Sequence, residues 1–287
     1  MSLLKDMVRT FPWPSLVFDE SRVQKYEFPF TINPYHNHFT DYLREAELQS
    51  KETFRNMRSE FQWLVQMREL LRLVNNASVR TYPAGLISLA SCGSFMAGSR
   101  LIISGQIPEG FRVLRGCLEE ALYGFYIFSS SEKQETMDVW LKRHSGKKPE
   151  RKMKGIFKPS VVIKEYSEHY PEMGKKIHEL YNLLIDCGGH PNERSITWRL
   201  NVRIPTPDNK TVFEYRLASN DYKLIRFGII KAVEVGLSVV RIFCQMDPEV
   251  SKQIGVDTAY ASMNRAFVQW TNSLYKRGDA LPDWVIW

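Results

Sequence analysis

From Pro108 to Ser129 apolar side chains occupy nearly every face that a helix would present: Phe111, Val113, Leu114, Cys117, Leu118, Ala121, Leu122, Phe125, Ile127 and Phe128. No side of such a helix prefers water, so it must sit in the middle of a bundle with neighbours all around it. Pro108 near its first turn is compatible with this, because the nitrogen it removes would have no intrahelical acceptor there. The chain can supply the neighbours. Its 287 residues, 44% hydrophobic and 25% charged, have an ordinary globular composition that excludes collagen-like, disulfide-scaffold and wholly disordered classes.

The surrounding segments read as those neighbours. Between Asp41 and Asn75 there is no Pro or Gly, and Phe54, Met57, Phe61, Leu64, Leu71 and Val74 recur at helical spacing, which predicts one long amphipathic helix. Arg68 interrupts the stripe and is expected to lay its stem over the core edge with its head in water. Further helices are predicted over about 83–104, ended by Gly105, over about 131–144, and over about 161–187 with an interruption at Pro171. Gly188-Gly189 is expected to end the last of these in a positive-φ conformation. Two more helices follow over 221–246 and 248–276, separated by Asp247-Pro248.

At Ile196 the period changes to two. Ile196, Trp198, Leu200, Val202 and Ile204 alternate with polar residues, a Pro-rich turn follows, and Phe213, Tyr215 and Leu217 alternate again, predicting a β-hairpin over about 195–217. A hairpin is marginal in isolation, so its apolar face is expected to pack on the helices. Residues 1–40, with Pro12, Pro14, Pro29 and Pro34 among Phe11, Trp13, Phe18, Tyr26, Phe28 and Phe30, cannot form a long helix and read as an extended arm. The tail ends in Trp284 and Trp287, too apolar to hang free. The expected fold is mainly α: one multi-helix bundle of about seven helices over 41–287, with a small β-hairpin insertion and an extended N-terminal arm.

Residues 81–99 carry no charge, but Ser88, Ser91, Ser94, Gly85, Gly93 and Gly98 lower their hydrophobicity; a soluble-bundle helix with close backbone approach is expected rather than a membrane span. Cys92, Cys117, Cys187 and Cys244 are widely spaced and form no CxxC pair, and the first fifteen residues lack an apolar signal core. A reducing, cytoplasmic location without disulfides is the expectation.

Charge is concentrated in one place. The net charge is +7, and the segment from Lys142 to Lys158 holds eight basic residues against Glu150 alone, so that it accounts for all of the excess. Such a run is usually a solvated loop. It also suits an acidic partner such as RNA or DNA, with Lys147, Lys148, Arg151 and Lys152 as the contacting residues and Arg199 and Arg203 extending the surface.

Two further groups have the right chemistry for a site. On the central helix Arg112, Arg115, Gly116, Glu119 and Tyr123 share one flank, with Arg115 and Glu119 at i,i+4. Charges on an apolar helix either reach a cavity or pair internally, because an unpaired buried charge costs several kcal/mol. His190, after a helix C-terminus in Gly189-His190-Pro191-Asn192-Glu193-Arg194, is either a capping residue or a group titrating near neutral pH. No Glu-x-x-His pairs of di-iron type, no phosphate-binding glycine loop and no nucleophile elbow occur, so no metal or cofactor is expected.

Taken together, the small-residue helix Ala90-Ser91-Cys92-Gly93-Ser94-Phe95, the central Arg115-x-x-x-Glu119, Trp140-Leu141-Lys142-Arg143-His144 and Gly189-His190-Pro191-Asn192 resemble a group of uncharacterised bacterial all-helical proteins similar to the HEPN (higher eukaryote and prokaryote nucleotide-binding) superfamily. The resemblance covers about 41–194 and implies a setting in phage defence or toxin–antitoxin systems. It departs from HEPN ribonucleases in lacking their Arg and His placed close together on one helix; the nearest arginine before His190 is Arg151. Three readings follow. The first is a non-enzymatic protein that binds an acidic partner through the basic segment. The second is a divergent metal-independent ribonuclease, with His190 as general acid or base, Arg115, Glu119 and Asn192 in its pocket, and Arg115 or Arg194 on the phosphate. The third is a small-ligand site between the central helices. A homodimer is among the assemblies that such a bundle permits.

Overall fold

The hydrophobic periodicities fold as a stack of helices around two buried ones. The structure is a computed structural model and describes residues 38–78, 84–189, 198, 200–203, 212–215 and 218–279. Among these residues eleven α-helices occur: α1 His38–Asn56, α2 Arg58–Ser78, α3 Ala84–Ile103, α4 Ile107–Ser129, α5 Lys133–Leu141, α6 Lys147–Ile156, α7 Pro159–His169, α8 Pro171–Leu184, α9 Tyr222–Met246, α10 Pro248–Gln253 and α11 Val256–Lys276. The chain divides into two compact units, Met1–Thr40 and Asp41–Trp287. The expected arm falls almost entirely outside the described residues, as does the tail with Trp284 and Trp287.

Helix α4 is central, as its composition requires. Phe111, Leu114, Cys117, Leu118 and Ala121 are fully buried, and α3, α9, α7 and α8 pack around it. The second buried helix is α9, which the periodicity did not distinguish from its neighbours. From Leu224 to Met246 only Arg226, Lys231, Glu234, Arg241 and Gln245 reach the surface in part. Asp221 caps it by accepting from the Lys223 and Leu224 amides at 2.8 and 3.4 Å. Phe111 and Phe227 meet edge to face at 5.9 Å where the two central helices cross.

The small residues of α3 allow the close approach expected of them. A Cβ on Gly98 would lie 2.8 Å from the Leu114 side chain and 3.1 Å from the Gly110 carbonyl oxygen, and one on Gly110 would lie 2.6 Å from Ile102. Buried Ser91 donates to the Cys117 carbonyl at 3.1 Å across the same seam. Gly105, at φ 79°, turns the chain from α3 into α4. Among the described residues no helix is long and apolar enough to cross a membrane, and all four cysteines are free thiols.

Several boundaries differ from the sequence reading. The long helix over 41–75 is divided at Met57 into α1 and α2, although the i→i−4 hydrogen bonds continue across that residue at 2.9 Å. No Pro or Gly marks the division. The segment 248–276 is likewise two helices, because Gly255 at φ 76° interrupts it. Helix α8 runs on into a π-helical turn, Ile185–Gly189. Gly188 is not in a positive-φ conformation; it is required there because a Cβ would meet the Pro108 carbonyl oxygen at 2.7 Å and Phe111 Cβ at 2.8 Å.

A hairpin over about 195–217 is not established: two four-residue strands, β1 Leu200–Arg203 and β2 Val212–Tyr215, pair antiparallel, and most of the remaining positions lie outside the described residues. Their register sets Leu200 opposite Tyr215 and Val202 opposite Phe213. The residues joining the strands lie outside those described. Just before it, Trp198 packs edge to face on Phe111 and Phe227 at 6.2 and 6.0 Å, fastening this segment to the core.

Candidate functional site

Of the polar flank on α4, the structure brings Arg115 and Glu119 together and adds a partner that the sequence did not show. Arg115 Nε lies 3.5 Å from Glu119 Oε1, and the Tyr181 hydroxyl of α8 donates to the same oxygen at 2.8 Å. Burial, followed by Glu119 itself, pushes the Tyr181 phenol up, so it remains a proton donor. Tyr123, one turn beyond Glu119, is pushed up to about 12 by burial and then by the Glu119 charge. Its ring rests edge-on against Phe157 at 5.4 Å.

This arrangement is a strut between helices. Glu119 is already engaged by a guanidinium and a hydroxyl, and Arg115 is about two-thirds covered. Arg112, one turn earlier, gives its Nε hydrogen to the Gly188 carbonyl and so ties the π-helical turn to α4. Arg68 is not part of the network; it pairs with Glu69 at 2.6 Å in an exposed setting. Beside Glu119, Glu120 faces α3 and is pushed up, first by burial and then by the Glu119 charge, against a hydrogen bond from Ser94. His190, Asn192 and Arg194 lie outside the described residues.

The ligand site expected between the central helices has a counterpart elsewhere. A groove of about 460 Å³ runs between α8, α9 and α11 over Met173, Leu180, Leu183, Phe267 and Val268, with Lys231 held by Glu234 at 2.8 Å on its rim. It does not involve α4. Among the described residues no group of His, Cys, Asp or Glu is placed to hold a metal ion.

The basic segment is where the structure changes the reading most. It was expected as a loop, and residues 147–156 form the helix α6. Met153 and Ile156, at i and i+3, pack on a small cluster of Ile87, Ile127, Val139 and Phe157. That apolar pair, followed by buried Phe157, was the available signal for a helix, and the charge run obscured it. Seating this side of α6 turns the rest of it outward. Lys147, Lys148, Arg151 and Lys158 are exposed and make no ion pair with any described residue. Lys152 differs from the expectation: it reaches Glu135 of α5 at 2.7 Å and serves as a tie. Lys154 and Lys142 are likewise matched locally, by Glu150 at 2.5 Å and Asp138 at 2.7 Å.

The interface this leaves is a short cationic helix face: three unmatched cations within five residues, with Lys158 just beyond. Neither a protein-family model, nor a curated protein, nor a solved structure matches the chain.

Proposed function

We propose that this protein binds nucleic acid, RNA in the first instance, through the outer face of α6. The observation that carries the reading is the set Lys147, Lys148, Arg151 and Lys158, all exposed and none neutralised by a described carboxylate, on a helix whose other side is seated on the satellite cluster. Cations held on a helix at fixed spacing release condensed counterions when they meet phosphates, which makes affinity steeply dependent on salt. In this reading Lys152 positions the helix through Glu135 and does not contact the ligand. We also read the β1–β2 ladder as a small hairpin inserted between α8 and α9, and the four free thiols as suited to a reducing compartment.

The test is binding of a fluorescent single-stranded RNA across a salt series. The expected log–log slope is negative, and Lys147→Gln, Lys148→Gln and Arg151→Gln together reduce its magnitude by about 2, at roughly 0.7 per lost contact. Binding that is absent, or that ignores both salt and the triple variant, overturns the proposal.

A further inference from the structure

The small residues of α3 lie on two faces, and only one of them is accounted for by the fold. Gly98 and Ser91 face α4. Leu86, Leu89, Ala90, Gly93, Met96 and Ala97 fall on another face and are all exposed, with Leu86, Leu89 and Met96 at 54%, 42% and 47%. No described neighbour lies within 4 Å of where a Gly93 Cβ would be. Beside Gly93 and Met96 is a hollow of about 240 Å³ floored by Leu71 and Cys92 and edged by Arg68 and Arg72 of α2. Cys92 is not a nucleophile there, since burial pushes its thiol up to about 11. Three large apolar side chains on one turn-spaced stripe, next to an open hollow, form a surface that gains by being covered.

We propose that this surface is covered by the same surface of a second copy of the chain, with α3 crossing its own counterpart antiparallel about a two-fold axis at Gly93. The order of residue sizes supports this occupant. A two-fold axis at position 93 sets Leu89 opposite Ala97 of the other copy and Ala90 opposite its Met96, with glycine against glycine at the axis. Leu89 and Met96 therefore each meet a small residue, with Leu86 beyond them opposite Arg100, whose stem can lie over it, so the central part of the face has the self-complementarity that an isologous interface requires. The 2.8 Å contact that Gly98 would make if it gained a Cβ shows how α3 already uses glycine for backbone approach on its other side. The stripe from Leu86 to Ala97 is only about 17 Å long at 1.5 Å per residue, so the contact is narrower than a standard interface.

Sedimentation equilibrium over micromolar concentrations is the test. The wild type is expected at twice 33.5 kDa and Leu89→Glu at 33.5 kDa, with unchanged helical circular dichroism because the position is exposed. The decisive arm is a size exchange. Ala97→Leu alone sets leucine against leucine and weakens the dimer at least tenfold, and adding Leu89→Ala restores it, because large again meets small at both symmetry-related sites. A Gly93→Cys variant in a Cys92→Ser background is expected to form a disulfide-linked dimer on mild oxidation, whereas Gly116→Cys in the same background is not. A monomeric wild type, a dimer indifferent to Leu89→Glu, a size exchange that fails to restore association, or equal cross-linking of both cysteine variants overturns the proposal.

Discussion

The region around α4 and α9 and the region around α5 and α6 are built on opposite terms. In the first, two helices are enclosed almost entirely and most charges at their edges are matched, while Glu120, partly buried without a described cation, has its carboxyl pushed up by burial. Glu60 of α2, 5% exposed in its side chain, receives Arg226 Nε at 2.7 Å, and Arg226 also reaches the Asp279 carbonyl at 2.9 Å. In the second, a four-residue cluster holds two short helices whose outer side chains are mostly charged, and α6 has no fully buried residue. The contrast teaches that the core pairs its charges or shifts a carboxyl toward its neutral form, whereas the rim keeps several unpaired because water solvates them at little cost.

That difference can be broken from the core outward. Phe111→Ala removes a fully buried ring that touches Phe227 and Trp198, and is expected to destabilise by about 3–5 kcal/mol in urea denaturation. Arg226→Ala leaves Glu60 covered without its cation; a loss of about 2–4 kcal/mol is expected at neutral pH, toward the low end because Arg226 is partly exposed. A pH series sharpens this second case. Burial pushes Glu60 up, but hydrogen bonds from Ser59 and Arg226 outweigh it and hold the carboxyl below its ordinary 4.5. The stabilisation is therefore present above pH 4.5 and is lost as pH falls through the depressed value. The gap between wild type and Arg226→Ala is accordingly expected to close in acid; a gap that stays constant would show that packing, not charge, is what the arginine supplies.

At the rim the expected effects are smaller. Phe157→Ala should cost about 1–2 kcal/mol, less than Phe111→Ala, because a cluster near the surface can collapse into the space. A loss as large as that of Phe111→Ala would mean that α5 and α6 belong to the main core. Smallest of all, Lys147→Gln, Lys148→Gln and Arg151→Gln together should shift stability by no more than about 0.5 kcal/mol while weakening RNA binding, which separates the ligand face from the fold. A thermal melt beside the salt series reads both.

The same contrast explains which parts were legible in the sequence. Helix α4 was visible because its composition admits only a central position, and α3 because uncharged small residues recur along it. The Arg115–Glu119 pair followed from spacing alone, but Tyr181 lies 62 residues away from Glu119, and no local pattern announces a contact across that separation. Helix α6 was taken for a loop because eight charges outweighed the two apolar positions that seat it, and Lys152 was assigned to a ligand because its partner Glu135 lies on another helix. The division at Met57 and the π-helical turn after α8 have no sequence mark; at the latter, Gly188 serves close approach to α4 and not turn conformation.

By itself, then, the order of side chains determined the helical class, the enclosure of α4, the free thiols and the location of all the excess charge, since each depends on composition or on neighbours within a turn or two. Only the tertiary structure decided which charges are matched, which face of α3 is left bare and which side of α6 meets water. Those outcomes depend on what another helix brings within a few ångströms, and a linear pattern of residues does not contain that distance.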